Sequence, residues 1–276
     1  MGDREVALRE HASRYLQATS PSEGRGVLAM LLAGSLAAGH ADEYADVDLD
    51  TVVDWSAAPT TEELTDRLVP DGATVQQAHA EKCSFDWDGE HVDIDIVDRE
   101  SIESGDWTLT TRWEYDNAEI LWDPTGRVTT VLTERIPFEP GERAALVSDR
   151  VEDLLWTGGW DVYKACLRDD RRTAHALATE AAEAMVEVLF LRDEAFVPRT
   201  KWRRRELTAL DPVDETTEDL LWTVQKVTAT TVEDVHRRIV ALRDLWNQVR
   251  PTLTAQALID PGHTWHVDTE ELLQIE

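Results

Sequence analysis

The stretch Val27-Leu-Ala-Met-Leu-Leu32-Ala-Gly34-Ser35-Leu-Ala-Ala-Gly39-His-Ala-Asp-Glu-Tyr-Ala-Asp46-Val-Asp48-Leu-Asp50 decides how this chain is read. Its apolar start, Val27 to Leu32, has the length and composition of a buried strand. A small-residue turn follows at once. Glycines at 34 and 39 permit close backbone approach and unusual dihedrals, and backbone N–H groups with the Ser35 hydroxyl can cradle phosphate oxygens. Beyond the turn, Val47 to Trp55 sets Val47, Leu49, Thr51 and Val53 against Asp46, Asp48, Asp50, Val52 and Asp54, the alternation of a second strand. Asp46 and Asp48, two apart on a strand, point to one face with Cα atoms roughly 7 Å apart, so their carboxylates can converge on a pair of divalent ions. Mg²⁺ prefers such oxygen ligands. Neutralising triphosphate charge and aligning an attacking hydroxyl is most of what phosphoryl-group enzymes must do.

Working outward, Val6 to Leu16 reads as a short helix, and Pro-Ser-Glu-Gly-Arg-Gly at 21–26 breaks the chain before the first strand. Pro59 ends the second strand. Thr61 to Leu68 reads as a helix, with Thr60 as N-cap and Glu63 completing a capping box. Ser84 to Trp87, the turn Asp88-Gly89, and Glu90 to Val97 spell a hairpin, and Ala118 to Trp122 fits a further strand before a turn at Asp123 to Gly126. After Pro137, Pro140 and Gly141 helical periodicity takes over. It runs through Ala144 to Trp156, Thr173 to Phe190, the region of Leu207, and Leu220 to Val227, then Val232, Val235, Ile239, Leu242, Leu245, Trp246 and Val249. The expected class is α+β: residues 1–140 form a domain with a small mixed sheet, and 141–276 an all-α domain.

Composition bounds the function. The 276 residues include 42% hydrophobic residues and 11 Trp, which excludes a disordered chain, and no apolar run approaches a membrane span. The N-terminal segment lacks an apolar core followed by small residues, so a cytoplasmic protein is expected. Cys83 and Cys166 lie far apart, which argues against a disulfide framework or a cysteine zinc site. A net charge of −29 is strongly self-repelling at low ionic strength but is screened within about 3 Å at molar salt. Lys82, Lys164, Lys201 and Lys226 are the only lysines among 27 basic residues. This acid-rich, lysine-poor balance resembles that of salt-in haloarchaeal proteins and predicts a halophilic protein. It also argues against nucleic acid as a partner, because phosphate backbones need basic contacts.

The segment from Gly34 to Asp50 resembles the signature of the polymerase-beta-like nucleotidyltransferase superfamily: a hydrophobic residue, Gly-Ser, about ten residues, then Asp-hydrophobic-Asp-hydrophobic. Ten residues separate Ser35 from Asp46 here. The family's usual Arg-Gly after the turn is replaced by Ala38-Gly39, and its Ser before the first Asp by Ala45. Such proteins carry a third carboxylate on a neighbouring strand, and Gly-Glu-His-Val-Asp-Ile-Asp-Ile-Val at 89–97 offers Asp93 and Asp95 on one face. By resemblance Asp95 is taken as the third, completing the metal site or deprotonating the acceptor hydroxyl, with Asp93 as its substitute if the register slips. The resemblance implies two Mg²⁺ ions on Asp46, Asp48 and Asp95, an NTP such as ATP seated on Gly34 and Ser35, and nucleotidyl transfer to an unidentified hydroxyl acceptor, taken to be a small molecule. Some members are homodimers. A fused helical half would choose the acceptor. The alternative is a partner-regulating role like that of the minimal nucleotidyltransferase antitoxins, and a third reading is a nucleotide-binding module without turnover.

Phe190 to Trp202 also resembles the loop after a long helix in two-domain nucleotidyltransferases, where Pro-x-x-Lys-Trp recurs. Lys201, with Arg199 and Arg203 to Arg205, forms a basic cluster able to bind triphosphate or an anionic acceptor, or else a solvated turn with Trp202 in the core. Lys164 and Arg168, four apart, are expected to pair with nearby acids. Asp50 and Asp54 read as solvated, His91 as a neighbour of the metal face without a defined role, and His263 and His266 as part of a loop near the C-terminus. The absence of GxSxG and GxxxxGK[ST] removes the warrant for serine-hydrolase and P-loop classes.

Overall fold

The computed structural model describes residues 2–19, 21, 26–57, 60–211 and 213–275. Most of the breaker at 21–26, and Pro59, lie outside the described residues. The chain divides into two units, Met1–Pro137 and Phe138–Glu276. The first runs α1 (Asp3–Thr19), β1 (Val27–Leu32), α2 (Gly34–Ala37), β2 (Val47–Val53), α3 (Thr61–Leu68), β3 (Thr74–His79), β4 (Lys82–Trp87), β5 (Glu90–Asp98), α4 (Arg99–Glu103), α5 (Leu109–Asn117), β6 (Glu119–Trp122) and α6 (Arg127–Arg135).

Local chemistry explains several boundaries. At α3 the capping box forms: the Glu63 N–H donates to Thr60 Oγ1 at 3.3 Å and the Thr60 N–H to Glu63 Oε2 at 3.1 Å. Such caps contribute about 1 kcal/mol. Between β4 and β5, Asp88 and Gly89 both take positive φ, 49° and 87°, as a two-residue hairpin turn requires. That turn fixes the register, pairing Trp87 with Glu90 and, at the far end, Lys82 with Asp95.

The six strands lie in the order β3-β4-β5-β2-β1-β6, and β2 with β5 is the one parallel pair, so the sheet is mixed. One face is covered over the central strands: Val47, Leu49 and Val53 of β2 and Val92, Ile94 and Ile96 of β5 bury against Leu8, Ala12 and Tyr15 of α1 and Leu64 and Leu68 of α3. On the other face Ala29, Leu31 and Val52 pack with Ile102, Val128 and Leu132 of α4 and α6. The same face carries Asp46, Asp48, Asp93 and Asp95, since side chains alternate along a strand.

Three elements of this unit escape the sequence reading. β3 is exposed at all six positions, so it has no apolar period to read. The helices α5 and α6 are short and rich in Thr, Val and aromatic residues, which lack a strong helical preference. The second strand stops at Val53, two residues before the expected Trp55.

The second unit is helical, with no strand among its described residues: α7 (Glu142–Leu155), a π-helical turn (Trp156–Asp161), α8 (Val162–Leu167), α9 (Arg171–Arg192), α10 (Thr200–Leu207), α11 (Glu215–Gln225), α12 (Val232–Ala255) and a 3₁₀ turn (Thr269–Gln274). Its centre is polar as well as apolar. Arg238 of α12 is fully buried and donates to Val224 O at 2.5 Å, to His175 O at 2.9 Å and to Thr179 Oγ1 at 2.7 Å, joining α9, α11 and α12. Nearby, burial opposes the charge of Asp234, but hydrogen bonds from Thr228, Arg237 and the Thr228 and Ala229 N–H groups outweigh it and hold that carboxyl well below its ordinary range. No helix of the described residues is long and apolar enough to cross a membrane.

Candidate active site

The site is built on the parallel pair β2 and β5. Its register sets Asp48 beside Asp93 and Asp50 beside Asp95. Asp46, Asp48 and Asp93 each offer an oxygen, and these three oxygens lie within 4.8 Å of one another. The structure therefore brings Asp93 to the pair, where Asp95 was expected from the resemblance. The physical reason is register: β5 lies against β2 with Asp93 opposite Asp48, which sets Asp95 one pair further along, opposite Asp50 and away from Asp46. Asp95 is more exposed and stands near Lys82, whose Nζ is 3.9 Å from Asp95 Oδ1.

The small-residue turn closes the other side. The Ala33 N–H donates to Asp48 O at 2.9 Å, which docks the turn onto β2. Gly34 has φ +64°, and a Cβ there would lie 1.8 Å from Asp48 Oδ2. Only glycine lets the backbone approach this carboxylate, which accounts for Gly34 on both steric and dihedral grounds. Ser35 is buried in α2, and its carbonyl accepts the His40 N–H at 2.7 Å. From α1, Arg4 donates to Ala45 O at 2.9 Å and to Glu90 at 2.6 Å, tying the residue before Asp46 to the start of β5. Arg9 reaches Leu36 O at 3.2 Å and so holds the turn.

Two neighbours went unassigned in the sequence reading. Lys82 Nζ lies 2.9 Å from Asp93 Oδ2, and that hydrogen bond, with the charges of Asp93, Asp95 and Asp48, raises the lysine above its ordinary value. His91 Nδ1 contacts Asp86 Oδ1 at 2.7 Å, and its Nε2 is 3.5 Å from Asp93 Oδ1. The hydrogen bond to Asp86, then the charges of Asp93, Asp86 and Asp46, raise this imidazole. Counting back along the hairpin from Asp88-Gly89 would have placed Lys82 opposite Asp95. No single-strand pattern shows it.

Do these residues fit a metal ion? The donor set is all oxygen, as a hard divalent cation requires. Asp93 Oδ1 is buried and accepts no hydrogen bond. A desolvated carboxylate oxygen whose nearest partner is an imidazole nitrogen at 3.5 Å is costly, and a metal cation beside it lowers that cost. Both observations fit Mg²⁺.

The other expected residues lie apart from this cluster in sequence and role. Asp54 is paired with Arg99 at 3.1 Å instead of being left to solvent. Lys201 lies on α10 of the second unit, exposed, with Nζ 5.3 Å from the Trp202 ring. Its basic neighbours are partly engaged: Arg203 pairs with Glu183, and Arg204 bonds Glu218 at 2.7 and 3.0 Å. Trp202 is half-buried instead of in the core. Lys164 lies over the Trp156 and Trp160 rings, where an acid partner was expected.

No protein-family model and no curated protein sequence matches the chain. Among solved structures it is similar to a nucleotidyltransferase-like protein from Exiguobacterium sibiricum 255-15, with 15% identity over 90% of this chain and 76% of that one and a TM-score of 0.47. It is similar to CdnC of E. coli MS115-1 in two structures. One is a complex with HORMA-deltaN, at 13% identity over 87% of this chain and 92% of that one, TM-score 0.30. The other contains ATP, at 15% identity over 85% and 91%, TM-score 0.32. At such identities and scores, residue roles do not transfer from those proteins to this chain.

Proposed function

We propose that the protein is a Mg²⁺-dependent nucleotidyltransferase that moves a nucleoside monophosphate from an NTP, with ATP as the first candidate, to a hydroxyl acceptor and releases pyrophosphate. The observation that carries this reading is the convergence of Asp46, Asp48 and Asp93 against a glycine turn that contacts the Asp48 carboxylate. Asp46, Asp48 and Asp93 are assigned as the metal-holding carboxylates. Bound there, Mg²⁺ would offset triphosphate charge and stabilise the leaving oxygen. The Gly34-Ser35 turn is assigned to the phosphates, its backbone held by Ala33 on β2 and by Arg9 at Leu36. In the transfer itself, the acceptor oxygen forms a bond to the α-phosphorus as the bond from that phosphorus to the bridging oxygen breaks. The hydroxyl proton passes to a carboxylate oxygen, and pyrophosphate leaves with the bonding pair.

Lys82 is assigned a positioning role through Asp93, whose Oδ2 it holds at 2.9 Å. The helical unit is assigned the choice of acceptor, a small molecule in this reading. The test is release of pyrophosphate from ATP and Mg²⁺ in molar KCl against a panel of hydroxyl-bearing acceptors, with α-labelled ATP to detect the transferred group. Label appearing on one acceptor class supports the assignment. Pyrophosphate release that is absent for all four NTPs and every acceptor, with no Mg²⁺-dependent NTP binding, contradicts it.

The acidic composition supports a further proposal, that the fold requires salt. Raising KCl from 0.1 to 2 M is expected to raise the thermal midpoint by about 10 °C or more, as screening removes self-repulsion among 56 carboxylates. A midpoint indifferent to KCl in a thermal melt contradicts it.

A further inference from the structure

Residues 142–167 form one helical rod, made of α7, the π-helical turn Trp156–Asp161 and α8. Its inner face is apolar: Val151, Leu154, Gly158, Val162 and Ala165 are buried. Inside the turn, a Cβ on Gly158 would lie 2.9 Å from Ala181 Cβ and 2.9 Å from Leu242 Cδ2, so the backbone presses directly onto α9 and α12. The outer face of an ordinary surface helix is then charged or polar. Here it carries large apolar side chains instead: Trp156 at 61% exposure, Trp160 at 42% and Leu167 at 56%. They stand four and seven residues apart, the spacing of a single helix face. Trp160 also stacks on Tyr163 at 6.0 Å, and Lys164 Nζ lies 5.6 Å from the Trp156 ring centroid and 5.1 Å from that of Trp160. A contiguous aromatic stripe left in water marks an interaction surface.

The charges at the ends of the stripe say what covers it. Glu152, eight residues before Trp160, and Arg168, eight residues after it, are both exposed. Neither makes an ion pair among the described residues. Trp156 and Lys164 stand four residues before and after the same tryptophan. The face therefore ends in a carboxylate on one side of Trp160 and a guanidinium on the other, and it is complementary to itself when turned end for end. Two copies laid antiparallel about a twofold axis at Trp160 set Glu152 opposite Arg168, Trp156 opposite Lys164, and Trp160 opposite its own counterpart. A twofold dimer needs this self-complementarity, and every contact off its axis occurs twice. An unrelated partner does not require charges placed symmetrically about one residue.

From this we propose that the protein forms a homodimer through the outer face of this rod, with the rods of the two copies antiparallel and meeting at Trp160. The Lys164 ammonium, already over its own indoles, gains the second copy's Trp156 as a further aromatic face. At about 250 Å² for a whole tryptophan side chain, the exposed parts of the two indoles supply about 250 Å² per copy. With Tyr163, Leu167 and the charged ends added, the two faces together bury about 1,000 Å², the lower bound of a specific interface. The dimer is accordingly weak, with a Kd of about 10–100 µM. Two chains of charge −29 repel each other at low ionic strength, so salt favours their association. The interface lies within the helical unit and does not rest on the nucleotidyl-transfer reading.

The experiment is sedimentation velocity of the full chain in molar KCl, from about 5 to about 500 µM, a range that brackets the expected Kd. Wild type is expected to pass from monomer to dimer across it. Trp160→Ala, which removes an indole from both sides of the axis, is expected to weaken the dimer about tenfold or more. Glu152→Arg and Arg168→Glu are each expected to weaken it about fivefold, because each sets two like-charged pairs in contact. Mixing these two charge variants in equal amounts is expected to restore association to within about threefold of wild type, since one copy then carries arginine at both ends and the other glutamate. All three substitutions fall at exposed positions, so thermal melts should match wild type, which separates loss of the interface from loss of the fold. Three results overturn the proposal: a wild type that stays monomeric at about 500 µM, association unchanged in Trp160→Ala, or mixed charge variants that associate no better than either alone.

Discussion

Asp48→Asn is expected to lower nucleotidyl transfer by about 10³-fold or more and to remove the Mg²⁺ dependence of ATP binding. The size follows from the loss of one charged ligand, worth several kcal/mol of transition-state charge stabilisation, at about 1.4 kcal/mol per factor of ten. The fold should survive. Asp48 sits within 4.8 Å of two other carboxylates, so neutralising it removes repulsion from the metal-free protein. The variant should therefore melt at or slightly above the wild-type midpoint without Mg²⁺, and gain less than wild type when Mg²⁺ is added. Activity assays and melts with and without Mg²⁺ check both halves. A variant that loses activity by unfolding would instead assign Asp48 to structure.

Arg238→Met is expected to be the most destabilising single change in the helical unit. Its guanidinium is fully buried, and burial, with the charge of Arg237 added, outweighs the pull of Asp234 and lowers it below the ordinary arginine value. Its bonds to Val224, His175 and Thr179 hold three helices at one point. Methionine fills much of the volume but removes the donor to Val224 O and Thr179 Oγ1, while His175 O keeps the Thr179 hydroxyl at 3.0 Å, at about 1–3 kcal/mol for each acceptor left unsatisfied. A total near 3–5 kcal/mol corresponds to roughly 10 °C or more in the midpoint of a unit this size. The comparison is Arg204→Met, where the arginine side chain is 82% exposed and pairs with Glu218 at the surface. Exposed pairs contribute little, so that midpoint should move by about 2 °C at most. Equal shifts for the two variants would show that the buried network does not set the stability of this unit.

How much of this was legible in the sequence follows from where the determining interactions lie. The strand Val27–Leu32, the helix Thr61–Leu68 with its Thr60 and Glu63 cap, and the turn at Asp88-Gly89 are decided within a few residues, and they are found as expected. The pairing of Asp48 with Asp93 instead of Asp95 is not local. Both aspartates share one strand face, and only the register of β5 against β2 chooses between them. Lys82 is missed for a related reason: its role depends on strand pairing, which only counting back along the hairpin exposes, and its own strand carries no charge pattern. In the helical unit, periodicity finds the long helices. It does not find the π-helical turn, because Gly158 and Gly159 read as a break until Ala181 and Leu242 are seen packed against them. Charge alone also misleads in so acidic a chain, since Lys164 lies over two indoles instead of beside a carboxylate.

The most direct measurement is ATP titration by calorimetry in molar KCl, with and without Mg²⁺, on wild type, Asp93→Asn and Asp95→Asn side by side. A site built on Asp46, Asp48 and Asp93 predicts Mg²⁺-dependent binding in wild type, its loss in Asp93→Asn, and affinity within about threefold of wild type in Asp95→Asn. Retained Mg²⁺-dependent binding in Asp93→Asn, or no binding of ATP by wild type, would contradict the triad as a nucleotide site.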